Sequence, residues 1–139
     1  MHQKNTKGLT LMELIIVLAL LAIIAAILIP MFVNTTDRAR LRSDIQSARV
    51  IQNAIDLYRV ETGTVVSGAN ADAVMRRLAE EGYLELRNSA TQTDGAVWYY
   101  DDTTHRIYVN IYGSPESVRG LYESLSDAEK QMVMVSRRS

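Results

Sequence analysis

The stretch Gly8-Leu9-Thr10-Leu11-Met12-Glu13, running on through Leu14–Ile29 to Pro30, decides how the rest of the chain is read. Ahead of it, Met1–Lys7 carries Lys4 and Lys7 and no acid. Leu14–Ile29 has no polar side chain, and Met31-Phe32-Val33 extends the run past Pro30. With Leu9, Leu11 and Met12 there are about 20 apolar residues, enough to span a bilayer. In a chain of 139 residues, a soluble core has no room to bury such a run. The basic leader is expected to stay in the cytoplasm and the C-terminal part to be translocated. A secretory signal would close on a small-residue cleavage site. Here Ala25-Ala26 is followed by Ile27-Leu28-Ile29, so the run is expected to stay with the mature protein.

Glu13 is the single acid in this wall. A carboxylate at the edge of hydrocarbon is costly without a partner. Two readings stand side by side: Glu13 snorkels at the membrane interface, or it waits for a positive partner supplied on assembly.

Lys7-Gly8-Leu9-Thr10-Leu11-Met12-Glu13, an apolar run and Pro30 together resemble the class III signal peptide of type IV pilins and related pseudopilins. The family pattern is a basic leader, Gly, a hydrophobic residue, Thr, two apolar residues and Glu. The resemblance is close from Lys7 to Pro30 and looser, as a long-helix layout, to about Glu61. It implies cleavage by a prepilin peptidase between Gly8 and Leu9 and N-methylation of the new Leu9 amine. It also implies that Glu13 neutralises the Leu9 ammonium of a neighbouring subunit, a pairing that an apolar core makes selective. The chain departs from the family at two positions. Leu9 stands where Phe is most common, and Ala22 where a glycine is frequent. That leaves Pro30, which removes one intrahelical hydrogen bond, as the weak point of the helix.

The remaining composition excludes several functions. The 15 basic and 16 acidic residues give a net charge of −1, with no electrostatic case for nucleic acid. Loss of Met1–Gly8 would leave 13 basic against 16 acidic residues. With no cysteine there are no disulfides, thiolate metal sites or thiol catalysis. His2 lies in the leader and His105 in a loop, so neither makes a base or a metal ligand. No phosphate loop or nucleotide fingerprint is present. Asp94, Asp101 and Asp102 form a loose acidic group. Major pseudopilins of type II secretion carry a calcium site in their distal loops, but the spacing here matches no calcium loop. No cofactor and no enzymatic activity are expected.

Beyond Pro30 the chain reads as cargo. Leu41, Ile45, Ala48, Ile51, Ile55 and Tyr58 recur at helical spacing, with Arg38, Arg40, Arg42, Asp44, Arg49, Asp56 and Arg59 on the remaining surface. Leu9 to about Glu61 is expected to form one helix of about 80 Å, ended by Gly63. Its residues 9–33 form the membrane or filament-core half and residues 34–61 the amphipathic half. Residues 62–139 form a globular head, with a helix over about 70–81 capped by Asn70, its inner face Ala73, Val74, Leu78 and Ala79. Glu85–Gly95 is a polar connector. A hairpin over about 96–112 follows, its aliphatic face inward and Trp98, Tyr100, Tyr108 and Tyr112 toward its edges. A helix over about 115–125 starts at Pro115, and Ser126–Glu129 is a capping box. Met132–Val135 is either helix or a last short strand, and Arg137–Ser139 a frayed tail.

The expected fold is α+β: a long N-terminal helix packed against a small antiparallel sheet, with additional short helices. The expected function is a pilin, a structural subunit that polymerises from the membrane into a type IV pilus. Its partners would be further copies of itself, the prepilin peptidase, the membrane, and indirectly an assembly platform and ATPase. It would be a single-pass membrane protein before assembly and an extracellular filament after it. A pseudopilin of a secretion or DNA-uptake system shares the same N-terminus. A monomeric signal-anchored membrane protein is the reading from another class.

Overall fold

The computed structural model describes Gly8 and residues 10–85 and 90–137. The chain divides into two compact units, Met1–Thr35 and Thr36–Ser139, and helix α1 (Leu11–Thr62) contributes to both. The leader residues 1–7, Leu9, the connector residues 86–89 and the end of the tail, 138–139, lie outside the described residues.

In the first unit α1 is apolar all round from Leu14 to Val33, and no described residue of that unit packs against it. Exposure of the large apolar side chains runs from 43% at Leu28 to 76% at Leu11. The helix is long and apolar enough to cross a membrane. Pro30 lies inside α1, where its ring leaves the Ala26 carbonyl without the usual N–H partner. One turn on, the Thr35 hydroxyl donates to the Met31 carbonyl at 2.9 Å.

In the second unit the helical stripe from Leu41 to Tyr58 is buried at every position expected from its spacing, with Ala54 and Asp44 added. Gly63, at φ 70°, ends α1 in the left-handed conformation that glycine adopts without penalty. Asn70 caps helix α2 (Ala71–Glu80), accepting from the Ala73 N–H at 2.9 Å. The inner face of α2 is Ala71, Val74, Met75 and Leu78. Ala73 and Ala79, expected inward, are half-buried at its flanks, because a ten-residue helix buries one narrow stripe.

Strands β1 (Val97–Asp101) and β2 (Arg106–Asn110) pair antiparallel, and β3 (Val133–Met134) joins β2 in parallel. The sheet order is β1-β2-β3. Helix α3 (Glu116–Gly120), a 3-10 turn over Leu121–Ser124 and helix α4 (Asp127–Lys130) make the crossover from β2 to β3. Such a connection is what parallel pairing requires. Pro115, expected as the first helical residue, is instead the N-cap of α3, which begins one residue later at Glu116. Ser126 and Glu129 form the capping box of α4. The architecture is pilin-like α+β, with a small mixed sheet.

Two side-chain placements differ from expectation. Directly opposed residues share a face of the sheet, so the register Trp98↔Val109 and Tyr100↔Ile107 turns the aromatics of β1 toward the core. Trp98 packs against both core clusters and Tyr100 is buried. Tyr99 and Tyr108 take the outer face, their ring centroids 6.5 Å apart. Asp44, expected on the charged surface, is 1% exposed. Its two oxygens accept the Gln92 and Thr93 backbone N–H groups, each at 2.8 Å. A buried carboxylate is tolerable only with such donors, and here they fasten the chain ahead of β1 to α1.

Candidate functional site: the start of the N-terminal helix

Thr10 precedes the first helical residue, and Glu13 lies in the first turn of α1. The Glu13 N–H donates to the Thr10 hydroxyl at 3.2 Å, and the Thr10 N–H donates to the Glu13 carboxylate at 3.1 Å. This is a reciprocal capping box, which satisfies two of the backbone donors that every helix start leaves open. The sequence Thr-x-x-Glu announces it, and it gives Glu13 a partner within its own chain. The carboxylate also sits where the helix dipole favours negative charge. Gly8, Thr10 and Glu13 are all exposed, and no other described side chain shields them. Leu9, the expected first mature residue, lies outside the described residues, as does the basic leader with His2. Pro30 is far along the same helix, about 26 Å from Glu13 at 1.5 Å per residue.

The acidic residues do not converge. Asp94 precedes β1, and Asp101 and Asp102 stand at its other end, so about 17 Å of extended strand intervenes. Asp101 is used in the hairpin turn, accepting from the Thr103 N–H at 2.9 Å. Among the described residues no group of three or more His, Asp or Glu side chains comes together to hold a metal ion.

His105 serves the same hairpin. It adopts φ 56° at the turn, and its Nδ1 lies 3.3 Å from the Tyr100 hydroxyl, which donates to the Val66 carbonyl at 3.0 Å. Burial pushes the Tyr100 phenol above its usual range, and Asp102 and Asp101 add to the shift. Gln52 on α1 ties in the start of β2. Its carbonyl accepts the Ile107 N–H at 3.0 Å, and its amide nitrogen lies 3.3 Å from the His105 carbonyl. These contacts fix a loop to a helix; they do not assemble a nucleophile with a base. The chemically distinctive surface is therefore the first turn of α1 and the apolar wall behind it.

A family model described as the prokaryotic N-terminal methylation motif matches residues 3–29. Over 61 residues the chain is 25% identical to the type II secretion system core protein G of Aeromonas hydrophila. That stretch is 44% of this chain and 43% of the relative, so the chain spans less than half the relative's length. No solved structure matches the chain. The methylation motif at the head of a long apolar helix and the α+β fold are features the chain shares with pilins and pseudopilins.

Proposed function

We propose that the chain is a structural filament subunit, a pilin that is stored in the membrane and polymerised into a type IV pilus. One observation carries this reading: the Gly8-to-Glu13 motif opens a helix whose first half is apolar all round and exposed along its length. An exposed apolar surface of that extent needs lipid or other copies of the same helix around it. The precursor inserts with its leader in the cytoplasm, and the prepilin peptidase cuts between Gly8 and Leu9. The Leu9 amine is then methylated. In the membrane, the capping box with Thr10 satisfies part of the Glu13 carboxylate's hydrogen-bonding demand. On assembly the carboxylate meets the Leu9 ammonium of a neighbour, and an unpaired charge in an apolar bundle penalises wrong registers. Pro30 loosens the helix at one point during extraction. The work of extraction comes from an assembly platform and ATPase, and the head takes no part in catalysis.

A second reading, a pseudopilin of a secretion machine, is favoured by the likeness to a type II secretion core protein. Sheared surface filaments containing this chain support the pilus; lost protein secretion without surface filaments supports the pseudopilus. The shared core of both readings is tested by Gly8→Leu, which should leave the precursor at full mass and abolish filaments. Cleaved chain and undiminished filaments from that variant would overturn it. Glu13→Ala should still be cleaved and should assemble poorly.

A further inference from the structure

Charge is spread unevenly over the part of the chain that follows the apolar run. Residues 34–43 hold Arg38, Arg40 and Arg42 against one acid, Asp37, a net of +2. Residues 44–139 hold 10 basic and 14 acidic residues, a net of −4. The head is acidic, and the positive stretch is the one that comes first after the apolar run.

The arginines of that stretch have little to bind within the chain. Arg38 and Arg40 are exposed, and among the described residues neither has a carboxylate within ion-pair distance. Arg42 is partly committed, its Nε lying 3.3 Å from the Glu129 carboxylate with the side chain 54% exposed. Asp44, the next acid in sequence, is buried and spent on the Gln92 and Thr93 N–H groups.

Position and geometry identify the occupant. Arg38 is five residues and Arg42 nine residues past Val33, the end of the apolar run. Basic residues so close to a span are drawn to a negative lipid surface, an attraction that fades beyond a Debye length of about 8 Å. At 3.6 residues per turn, Arg38 and Arg42 share one side of α1 and Arg40 takes the other. A single protein partner meets one side of a helix, whereas a headgroup layer surrounds any helix that crosses it. The same negative surface repels the acidic remainder of the head, which leaves residues 38–42 as the contact.

We propose that Arg38 and Arg40, with the exposed part of Arg42, bind the phosphates of anionic lipid headgroups while the chain is stored in the membrane. The inference rests on the membrane-stored state in the proposed function and gives that state a lipid partner. Extraction into a filament breaks this contact.

The test uses the full-length protein in zwitterionic micelles, titrated with phosphatidylglycerol and followed by the NMR signals of the arginine Nε–H groups. The Arg38 and Arg40 signals should shift and saturate, while those of Arg59 and Arg76, also exposed, hold their positions. Inorganic phosphate at the same concentration should leave all four in place. R38Q/R40Q should weaken binding, read at Arg42, about fivefold for each charge removed. R38K/R40K, which keeps the charge, should recover most of it. Both variants should melt with the parent by Trp98 fluorescence, since neither side chain is buried. Equal shifts on adding phosphatidylcholine would show no charge recognition and overturn the proposal. Equal shifts with inorganic phosphate, or at Arg59 and Arg76, would mean generic anion binding and overturn it too. A parent chain that is cut after Gly8 and forms filaments without this lipid preference would overturn the contact and leave the filament reading standing. A chain with the preference that is neither cut nor assembled would support the contact and sink the filament reading.

Discussion

Replacing Asp44 with alanine should destabilise the head strongly, because one side chain holds two backbone donors in a dry place. The Asp44 carboxylate is 1% exposed and accepts from Gln92 and Thr93 at 2.8 Å each. Hydrogen bonds to a charged group contribute about 1.5–3 kcal/mol each. Gln92 lies at the surface, so water replaces part of that bond. Thr93 is 3% exposed, and its N–H would be stranded, at about 1–3 kcal/mol. Relief of the carboxylate's own desolvation offsets part of the loss. The expected net loss is about 3 kcal/mol, which for a domain of this size lowers the melting temperature by about 12–24 °C. Asp44→Asn keeps one carbonyl acceptor but turns an NH₂ group toward the other donor, so it should recover about half of the loss. Trp98, the chain's one tryptophan, packs against both core clusters. Its fluorescence during thermal unfolding of the full chain in detergent micelles follows the head without the apolar half-helix. An Asp44→Ala protein melting within about 4 °C of the parent, a difference of about 1 kcal/mol or less, would refute the reasoning.

Gly95→Ala should cost at least about 2 kcal/mol, since φ is 67° and a Cβ there would lie 2.5 Å from the Gly113 carbonyl oxygen; the same fluorescence melt checks it. Hydrogen bonds from the Ser126 backbone and hydroxyl, with Arg42 adding its charge, hold the Glu129 carboxyl below its ordinary value of 4.5. A depressed carboxyl stabilises the fold above its unfolded pKa and ceases to as pH falls through the folded one. The stability gap between parent and Glu129→Gln should therefore be constant above about pH 4.5 and shrink below it, as measured by denaturant melts at stepped pH. Thr10→Ala removes half of the first capping box, about 1 kcal/mol, so exchange of the Glu13 amide, which donates to the Thr10 hydroxyl, should rise about fivefold in micelles.

Much of the architecture was legible because its signals are local. The apolar wall from Leu14 to Ile29 follows from composition, and the buried stripe from Leu41 to Tyr58 from a period of 3.6. Asn70, Gly63 and the Ser126–Glu129 box mark helix ends by chemistry that acts within one turn. Thr10–Glu13 is equally local and legible by the same rule, since its two bonds span three residues. The candidate site, being one short motif and the helix it opens, lies wholly in such local sequence.

The rest depended on partners distant in the chain. Alternation in β1 sorts its side chains into two sets but does not say which set faces in, and slipping the pairing by one residue exchanges them. Pairing with β2 decided it, and Trp98 and Tyr100 went inside. Asp44 looks like any charged residue on an amphipathic helix until Gln92 and Thr93, 48 and 49 residues later, bring their N–H groups to it. Val133-Met134 is too short for periodicity to classify, and becomes a strand because β2 has an open edge within reach. By itself, then, the sequence determined the membrane-length helix, its motif and its caps, through interactions spanning a few residues. Tertiary structure alone decided which face of the hairpin is core, which carboxylate is buried and how the C-terminus closes the sheet, because those energies exist only once remote segments meet.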